Sequence, residues 1–398
     1  MSDKPLSRAL ILLMAIATGL AVASNYYAQP LLHTLAGQFG LSTAVAGSIV
    51  ITAQLSYGAG LFLLVPLGDL FEQRRLVVSM TLLSATGLVL SAFAVNLPML
   101  LLGTAMTGLF SVVAQVLVPM AAGLASAQTR GRVVGTLMSG LLLGILLART
   151  AAGLASSAGD WRAIYLLAAA LLVICALCLA RALPPRRVHA GLRYPALLGS
   201  VLRLFVEEPV LRVRAFLGLL SFCLFGLFWT PLAFLLAAPP YGYTDGVIGL
   251  FGLAGAVGAL AASAAGRLAD KGQGEIATTL GLIALLATWL PLAFAGQSLA
   301  ALLLGVLVLD LAVQLVHVSN QNAIYALRPD ARNRLNAGYM TCYFIGGALG
   351  STLAAQLYQP YGWTGIVTAG SAISLLALLT WAVAKRRLAR KAVHPASA

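Results

Sequence analysis

Arg130-Gly131-Arg132-Val133-Val134-Gly135-Thr136-Leu137-Met138 returns 202 residues later as Arg332-Asn333-Arg334-Leu335-Asn336-Ala337-Gly338-Tyr339-Met340, and Gly144 is answered by Gly346. The same offset lays Gly40 and Ser42 on Gly242 and Thr244, where a helix is due to start, and Trp161 on Trp363. Matches at one offset, with matching breaks in hydropathy, make the chain a repeat of itself. Of its 398 residues 60% are hydrophobic and 9% charged, and the mean hydropathy is +0.94. Soluble domains run nearer half apolar and about a quarter charged. Disorder, collagen and a disulfide scaffold are excluded by the same figures. Cys175, Cys178, Cys223 and Cys342 all lie inside apolar runs. The Cys175/Cys178 pair has CxxC spacing but no second ligand pair, which favours ordinary core thiols over a metal or redox site.

Working outward from the repeat, apolar segments run near 9–36, 44–68, 76–95, 98–124, 133–156, 162–182, 213–237, 247–266, 276–295, 299–326, 335–358 and 363–384. Each is long enough to cross a ~30 Å hydrocarbon core as a helix. The reading is an all-α integral membrane protein with twelve transmembrane helices in two six-helix halves. The first half is 1–182 and the second 213–398. Between them, 183–212 is a basic cytoplasmic linker with Pro184-Pro185 and a short amphipathic helix striped by Leu198, Leu202 and Phe205.

Net charge is +14, distributed in short clusters between the apolar stretches, so no nucleic-acid partner is expected. Of the 25 Lys and Arg, 23 fall on one side of the twelve crossings; the exceptions are Arg149, inside a helix, and Arg162. Positive-inside bias therefore predicts both termini in the cytoplasm of a multi-pass protein of the bacterial inner membrane. Lys4, Arg8, the apolar run from Leu10 and Ala21-Val22-Ala23 imitate a secretory signal. Cleavage there would leave eleven crossings, so the segment is read as an uncleaved first helix.

Two parallel six-helix repeats with a basic cytoplasmic linker resemble the major facilitator superfamily. The family's G-x-x-x-D-R-x-G-R-R loop is matched in its first half by Gly266-Arg267-Leu268-Ala269-Asp270-Lys271. The copy at Gly68-Asp69-Leu70-Phe71-Glu72-Gln73-Arg74-Arg75 keeps Asp69, Arg74 and Arg75, while Leu70 and Glu72 replace the usual basic residue and glycine. The resemblance implies that these loops, including Asp270 and Lys271, gate conformational switching. Gly140, Gly144 and Gly153 resemble the glycine-rich antiporter motif, with Ala148-Arg149 in place of its Gly-Pro pair. Asn25-Tyr26-Tyr27-Ala28-Gln29-Pro30, Val65-Pro66-Leu67-Gly68-Asp69 and Phe344-Ile345-Gly346-Gly347-Ala348-Leu349-Gly350-Ser351 look like a bacterial arabinose-efflux-permease-like, multidrug-efflux-like branch.

A repeat explains shared residues as scaffold, so polar residues present in one half alone are informative. At offset 202, Asp310 faces Gly108, Gln314 faces Val112, His317 faces Gln115 and Arg149 faces Ser351. Asp310 and Arg149 read as the only residues ionised at neutral pH deep within apolar runs, where such groups are costly and face a cavity or a partner. Asp310, Gln314, His317 and Gln321 share one face of the tenth helix. The family's helices 1, 4, 7 and 10 line a central cavity. That resemblance directs the stripe into it, with Asn25, Tyr26, Tyr27, Gln29, Gln115, Phe222, Phe225, Trp229, Asn320, Tyr339 and Tyr343 as further lining. Such a pocket suits an amphiphilic or neutral organic solute.

Arg149 lies twelve residues before Trp161, ~18 Å deep, and Asp310 thirteen after Gln297, ~20 Å deep, at the helical rise. Opposite charges at nearly equal depth predict an ion pair in one access state, released by protonation of Asp310, with His317 as relay. No Walker-type stretch is present, so ATP binding is not expected and no cofactor or metal site is read; Asp310 and His317, as titratable groups, point to a proton gradient as the energy source. The expected activity is proton-coupled efflux of a small drug-like or sugar-like solute by alternating access, by a monomer whose partners are solute, protons and the bilayer. A proton-coupled importer or facilitator of a sugar or organic metabolite is the alternative. An intramembrane hydrolase would need a G-x-S-x-G or H-E-x-x-H motif, and neither is found.

Overall fold

The computed structural model describes residues 7–126, 129–185, 193–254, 273–328 and 331–393; the side chains of 69, 130, 131 and 387–393 lie outside that description. Among the described residues every regular element is a helix. The first span is two helices, α1 (Arg8–Ala23) and α2 (Ala28–Phe39), followed by α3 (Thr43–Leu63), α4 (Gln73–Ala92), α5 (Leu97–Phe110) and α6 (Val113–Leu124). Then come α7 (Arg130–Ser157), α8 (Arg162–Ala182), α9 (Tyr194–Glu207), α10 (Pro209–Ala237) and α11 (Asp245–Leu250). Past the undescribed stretch lie α12 (Gly274–Ala287), α13 (Trp289–Leu292), α14 (Leu299–Leu327) and α15 (Arg332–Val393).

Ten stretches among the described residues are long and apolar enough to cross a membrane. The last, in α15, holds both the eleventh and twelfth expected spans. It bends at Gly362, whose φ is 57°, two residues after Pro360. The eighth expected span continues from α11 into residues outside the description.

Two expected single helices are broken. The first span opens at Ser24–Tyr27, where Asn25 N–H and Tyr26 N–H bond back to Val22 and Ala23 carbonyls three residues earlier. Pro30 accounts for this, because its ring lacks an N–H and crowds the carbonyl four residues before it, on Tyr26. The fourth span parts between Phe110 and Val113. Asn25 Nδ2 donates to Ser111 Oγ at 2.7 Å, so the two breaks are tied to each other.

The repeat is visible in local geometry. Gly40 and Gly242 both take left-handed φ, 63° and 58°, and a helix begins three residues after each. Such φ values fall to glycine because it has no Cβ. Trp161 donates its indole N–H to Gln38, and Trp363 donates to the Leu292 carbonyl at 2.7 Å.

The chain forms two compact units, Met1–Ser200 with Trp229–Ala256, and Val201–Phe228 with Val257–Ala398. In the first, α1 packs on α7 through glycines: a Cβ at Gly19 would strike the Gly140 carbonyl, and one at Gly144 the Gly19 carbonyl. In the second, Gly346 and Gly350 stand against the backbone of Leu219 and Cys223 in α10. Small residues let helix backbones approach closely where lipid supplies no hydrophobic drive.

The linker helix α9 differs from the expected stripe. It buries Leu197, Val201 and Leu204, while Leu202 stands 58% exposed. The buried set is shifted by one position from Leu198, Leu202 and Phe205. One step is 100° on a helix, and several apolar residues made more than one face plausible.

Candidate functional site

In the first unit the sequence-selected residues Arg149, Gln29, Tyr26 and Trp229 come together. Arg149 is 3% exposed. Its Nε donates to Gln29 Oε1 at 2.7 Å. Its guanidinium carbon lies 3.9 Å from the Trp229 ring centroid and 5.1 Å from that of Tyr26. Pro30 breaks the first span so that Tyr26 lies in the opening and Gln29 in the first turn of α2, while Arg149 projects from α7. Aromatic faces attract a guanidinium through the ring quadrupole, more strongly where water is excluded. A buried cation is thus cradled by an amide oxygen and two π faces.

Other residues of the expected cavity lie elsewhere in that unit. Tyr27 packs edge-on against Tyr165 of α8, ring centroids 6.0 Å apart, and Gln115 is a hydrogen-bond partner of Tyr57. Asn25, beyond its bond to Ser111, lines a small cavity with Ala53, Leu88, Ser91, Thr107 and Tyr165.

The second unit brings together the tenth-helix stripe and its aromatic neighbours. Asp310 is buried at 5% exposure on α14, with Gln314 half-buried one turn along. His317 Nδ1 lies 3.0 Å from Tyr339 Oη, and its ring sits 4.6 Å from that of Tyr343. Tyr343 stacks on Phe222 at 4.0 Å, and Phe222 on Phe225 at 5.0 Å. These rings form one aromatic wall from α10 across α15 to α14. Gln321 Nε2 reaches Asn336 Oδ1 at 3.3 Å.

Asn320 is engaged by Arg214, one of the 23 basic residues that the charge pattern places on the cytoplasmic side. Arg214 is only 7% exposed. Its Nη1 donates to Thr278 Oγ1 at 2.7 Å and Asn320 Oδ1 at 3.2 Å, and its guanidinium lies 4.5 Å from the Trp381 ring centroid. Arg149 and Asp310 are therefore not the only charged residues inside the helices. Arg214 sits in the first turns of a span, where proximity to Arg212 imitates a loop cluster. Arg214→Ala should lower the unfolding midpoint of the purified protein in a thermal scan, since charge-assisted hydrogen bonds contribute about 1.5–3 kcal/mol. Arg214→Lys should recover part of the loss, because an ammonium keeps the charge but not the planar fork.

In the loop after α3, the backbone of 65–69 forms a short 3₁₀ turn, and the side chain of Asp69 is outside the description, as are Asp270 and Lys271. Glu72, which stands where the family motif has glycine, pairs with Arg74 at 3.3 Å and Arg75 at 3.2 Å.

Helices long and apolar enough to span a bilayer, with buried ionisable residues in both units, define a polytopic membrane protein. The chain belongs to the Major Facilitator Superfamily, whose family model matches residues 14–325. It is 60% identical over 376 residues to the uncharacterized transporter YgaY of Escherichia coli O157:H7, covering 94% of this chain and 95% of that one. A Streptomyces coelicolor protein bearing the name Probable transporter SCO4007 is 33% identical over 387 residues, 96% of this chain and 89% of the other.

Among solved structures, a bacterial homolog of the human lysosomal transporter Spinster superposes with TM-score 0.75 at 13% identity, covering 97% and 98% of the two chains. The nucleoside transporter NupG gives 0.76 at 12% identity, covering 94% and 99%. At such identities these two establish the fold alone. The protein is a multi-pass membrane transporter and not an enzyme.

Proposed function

We propose that this chain is a proton-coupled secondary transporter that exports a small organic solute by alternating access. The observation that carries this reading is the buried carboxylate of Asp310, sharing a helix face with Gln314 and His317. A carboxylate at membrane depth is expensive to keep for packing alone and is a natural proton carrier. In this reading Asp310 takes up the coupling proton, His317 relays it through the side facing Tyr339, and Arg149 supplies the counter-charge in one access state. The two six-helix halves, 1–182 and 213–398, expose the solute to each side in turn. Efflux is favoured by the resemblance of Asn25–Pro30, Val65–Asp69 and Phe344–Ser351 to the arabinose-efflux-like and multidrug-efflux-like branch. The aromatic rings Phe222, Phe225 and Tyr343 suit a solute with an apolar face.

The deciding experiment is transport in everted vesicles against a panel of organic solutes with an imposed pH gradient. Accumulation driven by an acidic lumen supports export by exchange with protons; uptake only in right-side-out vesicles makes the protein an importer.

Orientation in the bacterial inner membrane is proposed from charge, with both termini cytoplasmic. Reporter fusions should place residues 186–203 in the cytoplasm and 239–245 outside. An outward-facing central linker would overturn that orientation.

A further inference from the structure

Asp245 is the first residue of α11, at the end of an apolar run where a charge normally meets water, yet it is only 8% exposed. Thr34 Oγ1 from α2 and Ser156 Oγ from α7 both donate to its Oδ2, each at 2.5 Å. Two hydroxyls from different helices thus converge on one carboxylate oxygen, the acceptor of charge-assisted hydrogen bonds. Among the described residues, no cation stands within ion-pair distance of this carboxylate.

The surroundings reinforce the contact. Gly246 N–H donates to Ser157 Oγ at 2.7 Å, and Thr150 Oγ1 donates to the Gly249 carbonyl at 3.1 Å. A Cβ at Gly153 would meet the Asp245 carbonyl, and one at Gly249 the Arg149 carbonyl. The start of α11 is thus pressed backbone to backbone on α7 and fastened by hydroxyls at four places.

Two features make this a closure that can be undone. The four hydrogen bonds named here are made by hydroxyls, a carboxylate and backbone groups, all of which water satisfies well when they separate. An apolar seam would instead resist hydration. In the sequence, α2 and α7 precede the linker and α11 follows it, so the fastening joins segments from the two repeats. At offset 202 Asp245 falls on Thr43, and the carboxylate is peculiar to the second repeat.

We propose that Asp245 is a latch that holds the Trp161 end of the protein shut, the extracellular end in the orientation proposed above. The solute path at that end opens when Thr34 and Ser156 exchange the Asp245 carboxylate for water.

The test uses the full-length protein with Cys175, Cys178, Cys223 and Cys342 replaced by serine and Thr150→Cys as reporter in the seam. A membrane-impermeant maleimide is added to right-side-out and to everted vesicles. Asp245→Ala, and separately Thr34→Val with Ser156→Ala, should each raise the labelling rate about tenfold or more, the factor implied by losing even one charge-assisted hydrogen bond. Asp245→Asn, which keeps the shape and one acceptor, should give a smaller rise. Unchanged labelling in both the aspartate and the hydroxyl variants overturns the latch. So does a rise with Asp245→Ala alone, since the hydroxyls would then hold nothing. Acceleration from the cytoplasmic face leaves the latch standing and overturns the orientation. Gel filtration before labelling excludes misfolded variants; should Asp245→Ala fail there, the conservative hydroxyl pair decides.

Discussion

Asp310→Asn is expected to abolish solute accumulation against a gradient while sparing solute exchange across the membrane. Asparagine nearly matches aspartate in volume and hydrogen-bonding reach but cannot take up a proton at any working pH. The position is buried at 5% exposure, and ionisable groups at membrane depth are rare and tend to mark proton pathways. Removing the group that takes up the coupling proton should therefore remove the coupling. Vesicles with an imposed pH gradient provide the measurement. Arg149→Ala should impair both uphill transport and exchange, because the same guanidinium also holds Gln29 and lies over Trp229 and Tyr26. If Asp310→Asn still drives accumulation, coupling resides elsewhere and the carboxylate is structural.

Gly144→Leu is expected to leave almost no folded protein in the membrane. A Cβ at Gly144 would run into the backbone of Gly19, and Gly140, one turn earlier on α7, is similarly tight against Ala15. A backbone neighbour cannot swing aside as a side chain can. Forcing bulk into a packed interior costs roughly 1–3 kcal/mol even when side chains can adjust, and here α1 would have to leave α7. Monodisperse yield after detergent extraction reads the effect. Gly37→Leu, where a Cβ meets nothing within 4 Å, should retain near-normal yield. Comparable yields for the two variants would refute the close-approach argument.

Much of the site was legible because membrane depth makes polar residues conspicuous. Arg149, Gln29, Tyr26 and Trp229 stand out in the sequence as polar or aromatic residues on apolar spans, and they meet around one guanidinium. His317, Tyr339, Tyr343 and Phe225 likewise fall into one aromatic wall. Arg214 and Asp245 escaped because each stands at the end of an apolar run, where a charge normally belongs to water. Tyr27 stands beside Tyr26 in the sequence, but in the opened turn the two point to different neighbours, and Tyr27 packs on Tyr165.

By itself the sequence determined the membrane-spanning helical class, the repeat at offset 202 and the starts of the helices after Gly40 and Gly242. Each of these rests on a one-dimensional quantity: apolar length against bilayer thickness, spacing along the chain, or a residue's own backbone freedom. Only the tertiary structure decided which face of α9 is buried, that the broken first and fourth spans are tied through Asn25 and Ser111, and that Asp245 and Arg214 are inside. Those outcomes depend on which backbones approach closely enough to exclude water, and that approach is set by pairs of residues far apart in the chain, such as Gly153 with Asp245.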